Sequence, residues 1–235
     1  MTVRFRVAAV VAIALSTVVA AAGLEAPAPR TPQEALGLLK AGNDRFARNA
    51  STPVSLSVNR RRELASAQFP TATVLSCADS RVPPEHIFNV GLGDLFVIRT
   101  AGEVIDRSIL ASIEYGAEHL HIPLLVVMGH ESCGAVRAAA ESKGAVSSAN
   151  LDYLLKAIQA ARRPSPQERD EIKTLILANV EQVINDAMTK SPLLRHMVDE
   201  GRLSVVGAYY ELVSGRVIFS EPVSAAPVTP RDARH

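Results

Sequence analysis

PLLVVMGHESCGAV, residues 123–136, is the stretch on which the fold turns. A proline opens it, and the apolar run Leu124 to Met128 follows without a charge, too short for a helix and suited to a strand buried on both faces. The run stops at Gly129-His130. From Cys133 to Glu141 small apolar residues then recur at helical spacing, so the stretch reads as strand, tight loop, helix. A strand that feeds a helix is the unit of a parallel sheet, because parallel neighbours need a crossover connection.

Working upstream, TATVLSCADSR (71–81) carries a second short strand, Thr71 to Ser76, that stops at Cys77. Leu95 to Arg99 is a third, set between the turn-forming Gly91-Leu92-Gly93-Asp94 and Thr100-Ala101-Gly102. Asp106 can cap a helix in which Ile109, Leu110, Ile113, Ala117 and Leu120 share a face. Downstream, helical patterns occupy 151–161, about 167–190 and 192–200. Leu203 to Tyr210 and Arg216 to Phe219 then form a hairpin around Ser214-Gly215. At the other end Thr31-Pro32-Gln33-Glu34 combines an N-cap, a first-turn proline and a capping-box glutamate, which predicts a helix from Pro32 to about Ala47. A second helical stretch is expected near 59–67. The pattern predicts an α/β fold: an α/β/α sandwich with a mostly parallel central sheet of four strands, an antiparallel edge strand and an N-terminal helical arm.

The expected organisation is a leader at 1–22, a linker at 23–30, one domain at 31–220 and a flexible Pro/Ala-rich tail at 221–235. Arg4 and Arg6 precede an uncharged run from Val7 to Ala22 that ends in small residues, the order of a secretory signal with cleavage near Ala22 or Gly23. The run is shorter than the roughly 20 residues of a spanning helix, so export to a periplasmic or external space without a stable membrane span is expected. Across all 235 residues, 25 Lys and Arg face 24 Asp and Glu, which leaves no basic surplus for nucleic acid. Aromatic residues make up 4% with no Trp, which argues against a stacking platform for bases or sugars and favours a small substrate.

Two loops at predicted strand ends concentrate the chemistry: Cys77-Ala78-Asp79-Ser80-Arg81 and His130-Glu131-Ser132-Cys133. Ligands of open α/β sheets gather beyond the carboxyl ends of strands, so the two loops can meet. Two cysteines and a histidine suit Zn²⁺ with a fourth tetrahedral position free for water or substrate. In an exported chain, a disulfide between Cys77 and Cys133 is the competing reading, and a closed structural zinc site with Asp79 as fourth ligand is another. His86, His119, His121 and His196 have no ligand-like spacing to the cysteines. Gly91, Gly93 and Gly129 read as turn glycines.

The C-x-D-x-R motif followed about fifty residues later by H-x-x-C resembles the β-carbonic anhydrases, as do CADSRVPPEHIFNVGLGDLFVIRTAGE, SIEYGAEHL and VVMGHESCGAV. The likeness runs from about Gln33 through Phe219. It implies zinc-dependent reversible hydration of carbon dioxide to bicarbonate, with one zinc per chain on Cys77, His130 and Cys133. Asp79 and Arg81 would form the acid–guanidinium dyad beside the metal, with Asp79 a fourth ligand if the site closes. Gln68, Phe96, Tyr115 and Gly102 would be substrate-pocket positions of the plant-like type, the first three reached from a neighbouring subunit, hence a homodimer or larger homo-oligomer. Ala101 and Glu103 depart from the commoner Val and Asn. The same scaffold could instead hydrolyse carbonyl sulfide or carbon disulfide, or bind zinc or bicarbonate without turnover.

Overall fold

The computed structural model describes residues 31–142, 148–162 and 171–223. The expected leader, the linker and all but the first residues of the tail lie outside the described residues. Among the described residues no helix is long and apolar enough to cross a membrane.

Five strands form one sheet in the order β2-β1-β3-β4-β5: β1 (Ala72–Cys77), β2 (Leu95–Thr100), β3 (Leu124–His130), β4 (Ser204–Tyr210) and β5 (Val217–Phe219). The first four are parallel and β5 is an antiparallel edge, as the sequence predicts. The central strand β3 is buried along its whole length because both its faces are covered, whereas β2 at the sheet edge is only partly buried. On one face Leu75, Leu125, Val127 and Val205 pack with α4 (Arg107–Glu118), α7 (Glu171–Lys190) and α8 (Pro192–Asp199). On the other, Val74, Val126, Met128 and Val206 meet Ala35 and Leu39 of α1 (Pro32–Ala47) and Ile87 of α3 (Pro84–Ile87). A third cluster, with α5 (Gly134–Glu141) and α6 (Ala149–Gln159), closes over the carboxyl end of β1 around Cys77 and Cys133.

The arm helix α1 begins at the expected capping box, with Thr31 and Glu34 exchanging side-chain and backbone bonds. It is bolted to its own chain by buried Asn43, whose Nδ2 donates to Ile87 O (3.2 Å) and Gly215 O (2.8 Å) while its Oδ1 accepts from Val217 N–H (2.9 Å). Gly42 sits where the helix presses on α3: a Cβ there would stand 1.8 Å from the Phe88 carbonyl oxygen. Helix propensity alone would favour Gly42→Ala by about 1 kcal/mol. The clash is with backbone, which cannot swing aside, so overpacking wins. Gly42→Ala is expected to cost about 3 kcal/mol, read as a lower denaturant midpoint.

The second helix, α2 (Val58–Glu63), stops short of the expected 67. It buries none of its residues, and without a packed face so short a helix is not extended by propensity alone. At the other end, pairing continues past Glu221, with Val223 N–H donating to Val205 O at 2.8 Å.

The strand order places the site. From β1 the chain moves outward to β2, then crosses back to lay β3 on the opposite side of β1. The carboxyl ends of β1 and β3 therefore flank the point where the winding reverses, and a crevice opens there. Cys77 ends β1 and His130 ends β3.

Candidate metal centre

Three side chains converge at this crevice. The Cys77 and Cys133 sulfurs and a His130 ring nitrogen lie within 4.8 Å of one another, and all three residues are buried. Cys133 joins because the chain turns sharply after β3: Ser132 takes a left-handed φ of 54°, a strained conformation for a non-glycine residue. Cys133 then stands at the N-cap of α5, where the positive end of the helix favours a thiolate.

Both thiols are free and their sulfurs are 3.9 Å apart. A disulfide requires about 2.0 Å. Two sulfurs on a tetrahedral zinc, each about 2.3 Å from the metal, stand about 3.8 Å apart, so the spacing is that of a ligand pair. His130 is turned for the same task. Its Nδ1 is 2.9 Å from the Glu131 carbonyl oxygen, which can only accept, so Nδ1 carries the hydrogen. The lone pair is left on Nε2, which is buried and has no hydrogen-bond partner among the described residues. A buried, unpartnered lone pair beside two thiols fits a thiophilic dication. In the metal-free protein the Cys133 S–H lowers the Cys77 thiol, while the same contact and burial push Cys133 up: the pair readily gives up one proton and holds the other.

Asp79 stands beside the triangle, its Oδ2 3.9 Å from His130 Nε2. Arg81 grips both its oxygens, Nε to Oδ1 at 2.9 Å and Nη2 to Oδ2 at 2.7 Å, and the Arg81 backbone N–H adds a third bond to Oδ1 at 2.9 Å. The guanidinium beside it holds the Asp79 carboxyl well below the usual carboxylate range. Of the two arrangements open to the sequence, the structure shows the carboxylate clamped by Arg81. Arg99, which the sequence reading passed over, donates to Cys77 O (2.9 Å) and Asp79 O (2.5 Å) and holds the loop between them. Its signal was a lone charge inside the apolar run LFVIRT.

Gly102 is buried, and its N–H points at Cys77 Sγ, 3.3 Å away. Phe96 and Tyr115 face each other with ring centroids 6.2 Å apart. Phe96 pairs with Thr73 while Thr100 pairs with Cys77, so Phe96 lies about 13 Å back along the strand from this chain's own cluster. Gln68 is exposed in a surface groove with Arg61, Leu64 and Leu92.

Behind the cluster, Glu103 is fully buried with a left-handed φ of 42°. Burial first, then the charge of Cys77, pushes its carboxyl up to about 8 against the opposing hydrogen bond from Asn179. An unfolded chain gives up that proton near the ordinary 4.5, so Glu103 makes the metal-free fold progressively less stable between pH 4.5 and about 8. Glu103→Gln keeps the acceptor and removes the titration. Relative to the unaltered chain, metal-free Glu103→Gln is expected to gain on the order of 3 kcal/mol between pH 5 and pH 8 in urea denaturation.

Residues 72–217 match the carbonic anhydrase family. The chain is 38% identical to Carbonic anhydrase 2 of Mycobacterium tuberculosis over 198 residues, 82% of this chain and 94% of that protein. It is also 38% identical to the carbonic anhydrase of Mycolicibacterium smegmatis, covering 79% and 92%. Among solved structures, the Coccomyxa β-carbonic anhydrase in complex with acetazolamide superposes with a TM-score of 0.65 at 26% identity, covering 80% and 87%. One of two tetrameric β-carbonic anhydrases of Sordaria macrospora does so at 0.63 with 25% identity, covering 82% and 98%.

Proposed function

The chain belongs to the β-carbonic anhydrase family, and from that premise we propose that Cys77, His130 and Cys133 hold the zinc with which it interconverts carbon dioxide and bicarbonate. The observation that carries the assignment is the buried Nε2 lone pair of His130 facing two free sulfurs at ligand spacing. Zinc bound there supplies Lewis acidity that makes water a nucleophile near neutral pH.

The protein's part is positioning and proton handling. Ionised Asp79 offers Oδ2, the oxygen nearer His130, as an acceptor for the attacking water's hydrogen, so that a lone pair points at the carbon of carbon dioxide. Arg81 keeps that carboxylate off the metal, and its planar fork suits the task as a lysine would not. Arg99 fixes the backbone on which Cys77 and Asp79 sit.

Gln68, Phe96, Tyr115 and Gly102 belong to the substrate pocket. The first three complete it from a second copy of the chain, which makes the working unit a homodimer or a larger homo-oligomer. The remoteness of Phe96 from its own metal cluster supports this reading, as does the tetrameric assembly of the Sordaria relatives. Residues 1–22 export the chain to a periplasmic or external space, on the strength of Arg4 and Arg6 ahead of the Val7 to Ala22 run. Mass determination of the exported protein tests this, with a mature start near Ala22 or Gly23 expected.

Stopped-flow carbon dioxide hydration on protein of measured zinc content tests the function. One zinc per chain with turnover well above buffer background supports it. One zinc per chain with no hydration between pH 6 and 9 contradicts it, and parallel headspace assays with carbonyl sulfide and carbon disulfide would then identify another substrate.

A further inference from the structure

The turn Ala101–Glu103 lies behind the metal cluster in a conformation the chain does not favour by itself. Gly102 has φ 65° and ψ 30°, and Glu103 follows at φ 42°. For a residue with a Cβ the left-handed region costs about 1–2 kcal/mol, so something must hold the turn. The holder is Asn179, 1% exposed on the apolar inner face of α7. Its Nδ2 carries two hydrogens and both are used: one goes to Gly102 O at 2.8 Å, the other to Glu103 Oε1 at 3.0 Å. A buried amide on an apolar face is costly unless it is partnered, and here both partners belong to the strained turn.

The consequence appears on the other side of Gly102. With its carbonyl pinned and its φ and ψ set, the Gly102 N–H has one direction, and it points at Cys77 Sγ at 3.3 Å. Gly102 is closely packed as well: a Cβ there would meet Ile158 Cδ1 at 2.7 Å and Ala135 Cβ at 3.3 Å. A hydrogen bond to a metal-binding thiolate draws electron density off the sulfur, so less is donated to the metal and more positive charge remains on it.

We propose that Asn179 is a positioning residue of the zinc centre: it locks the 101–103 turn so that the Gly102 amide hydrogen-bonds the Cys77 thiolate and tempers its donation to the metal. The inference rests on Cys77 being a zinc ligand, and its test separates the two claims. Full-length protein labelled with ¹⁵N and loaded with ¹¹³Cd should show scalar coupling from cadmium to the Cys77 β-protons through the bond, and to the Gly102 amide proton through the hydrogen bond. Coupling at the Cys77 β-protons without coupling at the Gly102 amide overturns this inference and leaves the ligand assignment standing. No coupling at the Cys77 β-protons overturns the ligand assignment itself.

The part played by Asn179 is read from Asn179→Ser loaded with cobalt. Its thiolate-to-cobalt charge-transfer band should move to longer wavelength, and the zinc enzyme should lose about 10-fold in kcat at unchanged KM. A folded variant with an unshifted band refutes the role, because a merely structural asparagine would alter stability and leave the spectrum alone. Should Asn179→Ser not fold, the unaltered cadmium protein decides: both Asn179 side-chain hydrogens should be protected from solvent exchange, and rapid exchange overturns the proposal.

Discussion

Cys133→Ser is expected to purify with little zinc and to hydrate carbon dioxide no faster than buffer does. Cys133 is one of the three ligands proposed for the metal, and its sulfur faces Cys77 at 3.9 Å in a site closed by the third core cluster. A serine hydroxyl in its place is a hard, protonated oxygen, where the thiol becomes a thiolate that zinc prefers. Loss of one ligand of three weakens zinc binding by on the order of 10³-fold, taken as a fraction of the total free energy of a cysteine-bound zinc. With the metal gone, Asp79, Arg81 and Arg99 have no activated water to orient. Metal analysis beside stopped-flow assay checks this, and one tightly held zinc with unaltered turnover in the variant would remove Cys133 from the ligand set. The fold itself should survive, because the substitution exchanges one side-chain atom for a smaller one without altering the backbone, and His130 and Cys77 keep their bonds to the surrounding backbone and to Arg99.

Arg81→Ala is expected to do the opposite to the metal and nearly the same to the rate. All three ligands remain, so zinc should stay at one per chain. Arg81 is the residue gripping both Asp79 oxygens, and Oδ2 already lies 3.9 Å from the His130 nitrogen proposed to bind the metal. A surface ion pair is ordinarily weak, and Arg81 is half exposed, but what the bidentate fork controls here is where a carboxylate goes. Freed, Asp79 can take the fourth position itself and shut out water. Turnover should fall by at least about 100-fold, comparable to removing one well-aimed catalytic hydrogen bond. Arg81→Lys should fall between the two proteins, because an ammonium can hold one oxygen and leave the other to reach the metal. Near-native turnover in Arg81→Ala would mean that Asp79 stays off the metal without the clamp.

Much of this site was readable in advance because it is local. Cys77 and His130 end apolar runs bounded by loop residues, and Asp79 and Arg81 follow Cys77 within four residues, so both loops declare themselves in one dimension. The helix boundaries at Thr31 and Asp106 were legible for the same reason, since capping is a bond between near neighbours. What escaped was assembled from distant parts. Arg99 serves Cys77 and Asp79 across a strand pair, and Asn179 reaches Gly102 from 77 residues away. Each left only a faint mark, a polar side chain in an apolar run. The early end of α2 was illegible because it depends on the absence of a packing face, which propensity does not record.

By itself the sequence determined that the chain builds a mostly parallel sheet with covered faces and that a cysteine, a histidine and a second cysteine follow its strands. Hydrophobic period and turn chemistry act over a few residues, and those are their products. Only the tertiary structure decided that the cysteines stand at ligand spacing as free thiols, that His130 keeps its Nε2 lone pair, and that Asp79 is held back by Arg81. Those outcomes turn on differences of an ångström or two. Such differences are set by β1 and β3 lying side by side where the winding reverses, and by the left-handed turns at Ser132 and Gly102.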